Sequence, residues 1–208
     1  MLTFNGNKVI NCNKALIFIF IPAVMLYYHA EHNYVIWIYF AMHGSYVFSW
    51  LVASHYYPEK SFEIDLPISL SATLFTTLSL YWIAPWLIAK YKTEVMPWYL
   101  FICVFLFGIG MSLHAAADTQ KAVTLKFKKG LITEGYFTRI RHINYLGEFM
   151  IYLSFALLAQ HWLPLAILFS WVAFVWIPRM IKKERSLSRY PEFEEYKKRS
   201  KWFIPFVL

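Results

Sequence analysis

The chain has 208 residues, of which 59% are hydrophobic, 21% aromatic and only 15% charged. A soluble domain of this size rarely needs so much apolar surface, so the composition argues against a soluble globular protein and indicates an integral membrane protein. The formal net charge is +8, but the sequence contains no recognised nucleic-acid-binding module. We therefore expect the lipid bilayer, and no nucleic acid, as the partner of the basic residues.

Long apolar segments predict the membrane-spanning helices, because about 20 apolar residues cross the hydrocarbon core. A polar stretch at residues 1–14 precedes the first predicted span, Ala15–Tyr28, which Pro22 should kink. The further spans are predicted at Tyr34–Ala53, Leu66–Ala89, Val95–Ala117, Ile143–Gln160 and Leu163–Ile177. The predicted fold class is therefore all-α, a polytopic transmembrane helical bundle of about six spans. Five spans are the alternative, with the first apolar run lying partly in the interface.

The basic residues are concentrated in the second half of the chain. Five of the 20 Lys and Arg residues precede position 120, six lie within Lys121–Arg141, and nine lie within Arg179–Lys201. Basic clusters beside apolar spans mark the cytoplasmic side of a membrane. We therefore expect both termini, the Lys121–Arg141 loop and the amphipathic tail Arg179–Leu208 to face the cytoplasm. The final apolar stretch of the tail should dock onto the bundle or the membrane.

The segment Thr138–Glu148, with the sequence TRIRHINYLGE, places charged and polar side chains at the start of an apolar span. A helix beginning near position 141 would carry four polar residues on one face: Arg141, Tyr145, Glu148 and Tyr152. Such groups are costly in a bilayer unless they are paired or functional, so we predict that this face points inward and forms an active site. In the alternative interpretation, Glu148 only forms an ion pair with Arg141 or Arg139 at the membrane interface.

Two other segments bring polar residues to the same predicted depth. His114, Asp118 and Lys121 share a helix face at the end of the fourth span, and Glu184 lies at the start of the tail. Together with Thr138–Glu148 they would suit an anionic cofactor, since Lys and Arg bind phosphates while Asp and Asn fix hydroxyls and amides. The histidines and the two cysteines show no metal-ligand spacing, so we predict no metal site.

Several motifs occur together in the second half of the chain. They are HAAADTQK from His114, GYFTRIRHINYLGE from Gly135, ERSLSRYPEFEEYKKR from Glu184 and a terminal IPF. Their combination resembles the C-terminal region of the steroid 5α-reductase superfamily over roughly residues 108–208. The resemblance implies a cofactor-binding region at 108–208 and substrate-side transmembrane helices at 1–107, within one structural domain.

The resemblance implies a membrane-embedded reductase that takes hydride from NADPH and adds it to the β-carbon of a lipophilic enone, such as a steroid- or isoprenoid-like compound. Asn144 and Glu148 would bind the nicotinamide end of NADPH. Its ribose and phosphates would be held by Asp118, Lys121, Arg139, Arg141, Tyr145 and Tyr196. The predicted cofactor site is completed by His114, His142 and Glu184. A donor that polarises the substrate carbonyl would come from the N-terminal half, where the candidates are Glu63, Asp65 and Tyr81.

A second group of membrane enzymes shares this architecture. The chain is similar to the RHPxY motif and the glutamate-led tail of isoprenylcysteine carboxyl methyltransferases and phospholipid methyltransferases in Arg141, His142, Tyr145 and Glu184. Ile143 replaces the proline of that motif. These residues would then bind S-adenosylmethionine, and the substrate would be a lipid or a prenylated carboxylate. A non-enzymatic membrane scaffold or transporter is the third interpretation, and no feature of the sequence indicates an obligatory protein partner.

Overall fold

The computed structural model describes residues 2–203, and over this range the chain is all-α apart from one short ribbon, as predicted. Its helices are α1 (Gly6–Ala15), α2 (Ile17–Tyr27), α3 (Tyr34–Tyr56), α4 (Ile68–Ser79), α5 (Ile83–Tyr91), α6 (Pro97–Phe127), α7 (Ile143–Leu158), α8 (Trp162–Trp171), α9 (Ile177–Leu187) and α10 (Phe193–Arg199). The ribbon pairs β1 (Thr3–Asn5) with β2 (Asp65–Pro67) in antiparallel register. Residues 204–208, the apolar end of the tail that is predicted to dock, lie outside the described part.

Five helical stretches of the described chain are long and apolar enough to cross a membrane. They are Gly6–Tyr27, Tyr34–Tyr56, Ile68–Tyr91, Pro97–Phe127 and Trp162–Leu187. The predicted fifth span corresponds to α7, an apolar helix of 16 residues, which is shorter than the others. The chain is therefore a multi-pass integral membrane protein.

The chain folds into two compact units. The first consists of Met1–Cys103 with Phe155–Ile167, and the second consists of Val104–Ser154 with Leu168–Leu208. The first unit contains α1 to α5 and the β-ribbon. The second contains all the residues predicted to bind a cofactor. The predicted division of the chain after residue 107 stays a prediction.

In the first unit, α1 begins at Gly6 and not at the predicted start of the first span, Ala15. Its three asparagines can lie within a helix because each finds a side-chain partner in the same unit. The Nδ2 atom of Asn11 donates to Ser54 Oγ at 2.9 Å, and that of Asn13 donates to Ser79 Oγ at 2.8 Å. Interhelical hydrogen bonds of this kind satisfy polar side chains that lipid cannot. The helix break lies at Leu16, between α1 and α2, whereas Pro22 lies inside α2.

A cluster of aromatic and basic side chains fills the interior of the first unit along α3. His43 Nδ1 lies 3.1 Å from the hydroxyl of Tyr39, and its ring stacks on Phe155 with 4.7 Å between centroids. Tyr46 lies one turn after His43 on α3, and its hydroxyl accepts a hydrogen bond from Lys14 Nζ of α1 at 3.0 Å. These contacts satisfy polar groups at the level of the membrane span, where water is excluded.

In the second unit, α6 and α7 cross with their main chains in contact. A Cβ atom on Gly147 would lie 2.5 Å from the amide nitrogen of His114 and 2.8 Å from the carbonyl oxygen of Gly110. A Cβ atom on Gly110 would likewise lie 2.7 Å from the carbonyl oxygen of Gly147. Only glycine leaves room for this approach. The crossing brings the polar ends of the two helices side by side.

Two helices of the second unit extend further than the sequence predicts. The fourth span is predicted to end at Ala117, but α6 continues to Phe127, because residues 118–127 contain no glycine or proline to end it. The sixth span is predicted to end at Ile177. Instead, α8 continues through a π-helical turn at Val172–Trp176 into α9, which ends at Leu187. The predicted cytoplasmic loop and tail are therefore shorter, and their first basic residues are helical.

Candidate functional site

A hydrogen-bonded network joins α6 to α7 directly beyond the glycine crossing. The side-chain Nδ2 of Asn144 donates to Asp118 Oδ1 at 3.1 Å. His114 Nδ1 lies 3.2 Å from the main-chain oxygen of Asn144, and its Nε2 lies 3.7 Å from Asp118 Oδ2. The structure thus brings together three of the predicted cofactor-binding residues from two separate segments.

The side-chain oxygen of Asn144 is the unsatisfied atom of this network. Its Oδ1 is buried and has no hydrogen-bond partner among the described residues. A buried carbonyl oxygen without a donor costs free energy, typically about 1–3 kcal/mol. Because Asn144 Nδ2 is already fixed by Asp118, the oxygen is held in one orientation as an acceptor. This arrangement suits a ligand that offers an N–H group.

Lys121 and Glu148 extend the network along the same two helices. Lys121 lies three residues after Asp118 on α6, and Glu148 lies four residues after Asn144 on α7. This spacing places each on the helix face of its neighbour in the network. Both side chains are half-buried. The four residues together present two carboxylates, an amide and an ammonium group.

Arg141, His142 and Glu184 form a second cluster, which joins the start of α7 to α9. Arg141 Nε donates to both oxygens of Glu184, at 3.0 and 3.1 Å, and His142 Nε2 lies 3.1 Å from Oε1 of the same carboxylate. The alternative ion pair predicted for Arg141, with Glu148, is replaced by this one. Arg141 also precedes α7, which begins at Ile143, so the predicted face that starts at position 141 is wrong at that residue.

The physical reason for that correction is a main-chain pairing that takes Arg141 out of the helix. We call residues 196–202 the C-terminal strap. The amide of Lys201 donates to the Arg139 carbonyl at 2.7 Å, and the amide of Arg141 donates back to Lys201 at 2.9 Å. The amide of His142 donates to the Trp202 carbonyl at 3.1 Å. The strap therefore holds the residues before α7 by main-chain hydrogen bonds outside the helix.

Side chains reinforce the strap. Arg141 Nη1 donates to the carbonyl oxygen and the hydroxyl of Ser200, at 2.7 and 3.1 Å. The hydroxyl of Tyr196 donates to the carbonyl oxygen of Phe137 at 2.5 Å, and burial raises the pKa of this phenol to about 12. Tyr196 is thus a protonated structural donor at neutral pH. The sequence singles out Tyr196 but contains no signal for Ser200 or Trp202, because main-chain pairing leaves no side-chain pattern.

His142 is neutral and fully buried. Burial lowers the pKa of its imidazole, and the hydrogen bond to Glu184 offsets this only in part. Because Nε2 faces a carboxylate oxygen, Nε2 carries the proton in the neutral ring, which leaves Nδ1 as an acceptor. No described residue donates to Nδ1. Tyr145 packs edge-on against this ring and against the ring of Trp176, at 5.9 and 5.8 Å between centroids.

The residues predicted to polarise a substrate carbonyl lie in the first unit, at two separate places. Glu63 accepts hydrogen bonds from Asn5 at 3.2 Å and Asn7 at 2.8 Å, and Asp65 pairs with Asn5 in the β-ribbon. Tyr81 lies beyond the far end of α4, in a single 3-10 turn. The 12 residues of α4 separate the two places by roughly 18 Å. One carbonyl oxygen therefore cannot contact Tyr81 together with the two carboxylates.

Comparison with known proteins places the chain in a family. The family model for 3-oxo-5-alpha-steroid 4-dehydrogenase matches residues 62–208, a range that includes every predicted site residue. Steroid 5-alpha-reductase DET2 of Solanum lycopersicum is 30% identical over 152 residues, which cover 70% of this chain and 58% of that protein. The chain thus spans less than two thirds of the length of this curated relative. With most of its length matched by the family model, the chain belongs to the 3-oxo-5-alpha-steroid 4-dehydrogenase family.

Proposed function

We propose that the protein is a membrane-embedded reductase that uses NADPH to reduce an activated C=C bond in a lipophilic, steroid- or isoprenoid-like substrate. When bound, NADPH supplies a hydride for the β-carbon of an enone. The observation that carries the proposal is the buried, unpartnered Oδ1 of Asn144, held in place by Asp118. The carboxamide of a nicotinamide ring has the N–H donor that this oxygen lacks.

The surrounding residues fit the rest of such a cofactor. Lys121 and Arg139 can neutralise phosphates, and Asp118 has a second carboxylate oxygen suited to a hydroxyl. Family membership supports the assignment, since the relative from Solanum lycopersicum is named a steroid reductase. The concentration of basic residues in the second half of the chain supports a site that faces the cytoplasm, where NADPH is available.

The contacts of Arg141, His142 and Glu184 favour NADPH over S-adenosylmethionine. Both interpretations assign these three residues to the cofactor, but the methyltransferase interpretation adds only Tyr145 to them, whereas the reductase interpretation also uses Asp118 and Asn144. In the structure the three shared residues bind one another and the C-terminal strap. The residues that distinguish the reductase interpretation, Asp118 and Asn144, instead leave an acceptor unsatisfied. We therefore propose no methyltransferase activity.

The substrate carbonyl needs a donor as negative charge develops on its oxygen during hydride addition. We propose that this donor is one of Glu63, Asp65 and Tyr81. Because α4 is roughly 18 Å long, Glu63 or Asp65 cannot act on the same carbonyl oxygen together with Tyr81. The carboxylates and the phenol are therefore alternative donors. The carboxylate of Glu63 already accepts hydrogen bonds from Asn5 and Asn7, and Asp65 is exposed in the β-ribbon, whereas Tyr81 is half-buried in its turn.

The test is to measure the thermal stability of the purified protein in detergent with NADPH, NADH and S-adenosylmethionine. A ligand at 100 times its dissociation constant stabilises the folded state by about 2.7 kcal/mol. We expect this stabilisation with NADPH and none with S-adenosylmethionine. Stabilisation by S-adenosylmethionine without any response to NADPH would refute the proposal.

A further inference from the structure

We propose that Glu184 is a positioning residue, which fixes the start of α7 through Arg141 and His142 and does not touch the cofactor. The inference rests on the proposed function, because the residue positioned in this way is Asn144. It changes the role of Glu184 from a predicted ligand contact to a support of the residues that make the contact. The contacts of its carboxylate are the first support for this role.

Both oxygens of the Glu184 carboxylate accept hydrogen bonds from Arg141, and one of them also contacts His142. Arg141 Nε lies 3.0 Å from Oε1 and 3.1 Å from Oε2, and His142 Nε2 shares Oε1. The side chain of Arg141 is only 6% exposed and that of Glu184 is 17% exposed. A buried guanidinium without its counter-ion is strongly destabilising, so this pair holds both partners in place.

Arg141 passes this constraint to the C-terminal strap. Its Nε is held by Glu184, so the plane of its guanidinium is fixed, and Nη1 can then reach the carbonyl oxygen of Ser200 at 2.7 Å. The strap pairs in turn with the main chain of Arg139, Arg141 and His142. One carboxylate on α9 therefore orients a side chain that anchors a separate segment.

His142 passes the same constraint to α7. The hydrogen bond from the amide of Leu146 to the carbonyl oxygen of His142 closes the first turn of the helix. Asn144 lies inside that turn, with Oδ1 unsatisfied and Nδ2 bound to Asp118. If His142 turns, the first turn of α7 shifts, and the side-chain oxygen of Asn144 moves away from the distance and angle that a hydrogen bond requires. Glu184 thus sets where Asn144 presents its acceptor.

The π-helical turn explains how α9 delivers the carboxylate to this place. A π turn adds a residue to the helix and rotates the residues after it. Trp176, the last residue of this turn, packs against Tyr145 of α7, and Glu184 lies eight residues further along, within the same broad stripe of the helix. The contact between Trp176 and Tyr145 therefore also fixes the position of α9, the helix that carries Glu184, relative to α7.

The experiment compares Glu184→Ala, Glu184→Gln and the wild-type chain, with Glu195→Gln as the matched control on the exposed side of the same tail. Two quantities are measured: the dissociation constant for NADPH, and amide hydrogen exchange at Arg141, His142 and Lys201 without cofactor. We expect Glu184→Ala to raise the dissociation constant for NADPH by up to about 30-fold, which is the effect of losing the Asn144 acceptor altogether. It should also accelerate exchange at the three amides. Glu184→Gln keeps an oxygen acceptor but removes the counter-ion of Arg141, so it should lose less protection and less affinity than Glu184→Ala, while Glu195→Gln should change neither.

A spectroscopic measurement separates positioning from general loss of structure. In ¹⁵N-histidine spectra, we expect the wild-type His142 to carry its proton on Nε2, and Glu184→Ala to shift it toward Nδ1 or a mixture of tautomers. Unchanged exchange and an unchanged tautomer in Glu184→Ala would overturn the inference. So would an equal loss of NADPH affinity in Glu184→Gln and Glu184→Ala with the strap still protected, since the carboxylate would then contact the cofactor. The exchange and tautomer measurements need no cofactor, so they decide the role of Glu184 at the strap even if the wild-type chain binds no NADPH.

Discussion

At the scale of residues, the side-chain amide of Asn144 is only half satisfied by the protein, which leaves its oxygen available to a ligand. Its nitrogen is fixed by Asp118, its main-chain oxygen is contacted by His114, and its side-chain oxygen is left without a donor among the described residues. Without a ligand, the unsatisfied oxygen lowers the stability of the folded protein by the free energy of the missing hydrogen bond. A ligand with a suitable N–H group recovers it, so the cost becomes part of the binding free energy.

We predict that Asn144→Ala weakens NADPH binding by about 1–2 kcal/mol, or roughly 5- to 30-fold, because it removes the acceptor for the nicotinamide carboxamide. The dissociation constant can be measured by fluorescence titration in detergent. Asn11→Ala is the control, since that amide binds Ser54 and Trp50 within the first unit. If both variants bind NADPH as the wild type does, Asn144 is not the nicotinamide contact.

At the scale of elements, the close crossing of α6 and α7 positions the residues of the candidate site. Gly110 and Gly147 bring the two main chains into contact, and the Asp118–Asn144 hydrogen bond forms just beyond them. Neither glycine has a positive φ angle, so they are needed for close approach and not for turn geometry. The site thus depends on the absence of two methyl groups.

We predict that Gly147→Ala destabilises the protein by about 1–3 kcal/mol, because the new Cβ atom would overlap main-chain atoms that cannot move aside. It should also weaken NADPH binding, since α6 and α7 must separate at Asp118 and Asn144. Thermal unfolding and NADPH titration test both effects.

Gly108→Ala is the matched control for that variant. Gly108 lies on α6, one of the two crossing helices, and a Cβ atom there would meet nothing within 4 Å. It should be neutral or slightly stabilising, because alanine favours the helix over glycine by up to about 1 kcal/mol. Equal effects of the two substitutions would show that helix propensity, and not the crossing, is responsible.

At the scale of the whole molecule, the buried His142 links folding to pH. Its pKa in the folded protein lies below the value of 6.5 expected for an exposed histidine, chiefly because of burial. Between these two pKa values the unfolded chain binds more protons than the folded one. The free energy of unfolding therefore falls as the pH falls below 6.5.

We predict that the free energy of unfolding decreases from pH 7.5 to pH 5.5, and that His142 contributes a slope of at most about 1.4 kcal/mol per pH unit. The thermal midpoint should fall with it. His142→Gln keeps a donor for Glu184 but cannot titrate, so it should flatten this dependence. His55→Gln is the control, because that side chain is exposed. A wild-type slope that survives in His142→Gln would assign the effect to other groups.

The parts of the fold that depend on local composition could be predicted from the sequence, and those that depend on distant partners could not. The all-α class and the positions of the spans are set by apolar length. The grouping of Asp118 with Asn144 could be predicted because each lies on a regular helix. The hydrogen bonds of Arg141 to Glu184 and Ser200 join residues 43 and 59 positions apart, and no periodic pattern in the sequence predicts them. The helical N-terminus is missed for the same reason, since its asparagines look exposed until their partners are known.

Those asparagines have a consequence for how the protein enters the membrane. The amides of Asn11 and Asn13 are satisfied by Ser54 and Ser79, which lie 43 and 66 positions later in the chain. In lipid, each amide is costly to bury until its partner is present. As the chain is synthesised, α1, the polar half of the span Gly6–Tyr27, therefore finds its hydrogen-bond partners only after α3 and α4 have been made. Insertion of the first helix is thus completed by helices that leave the ribosome after it.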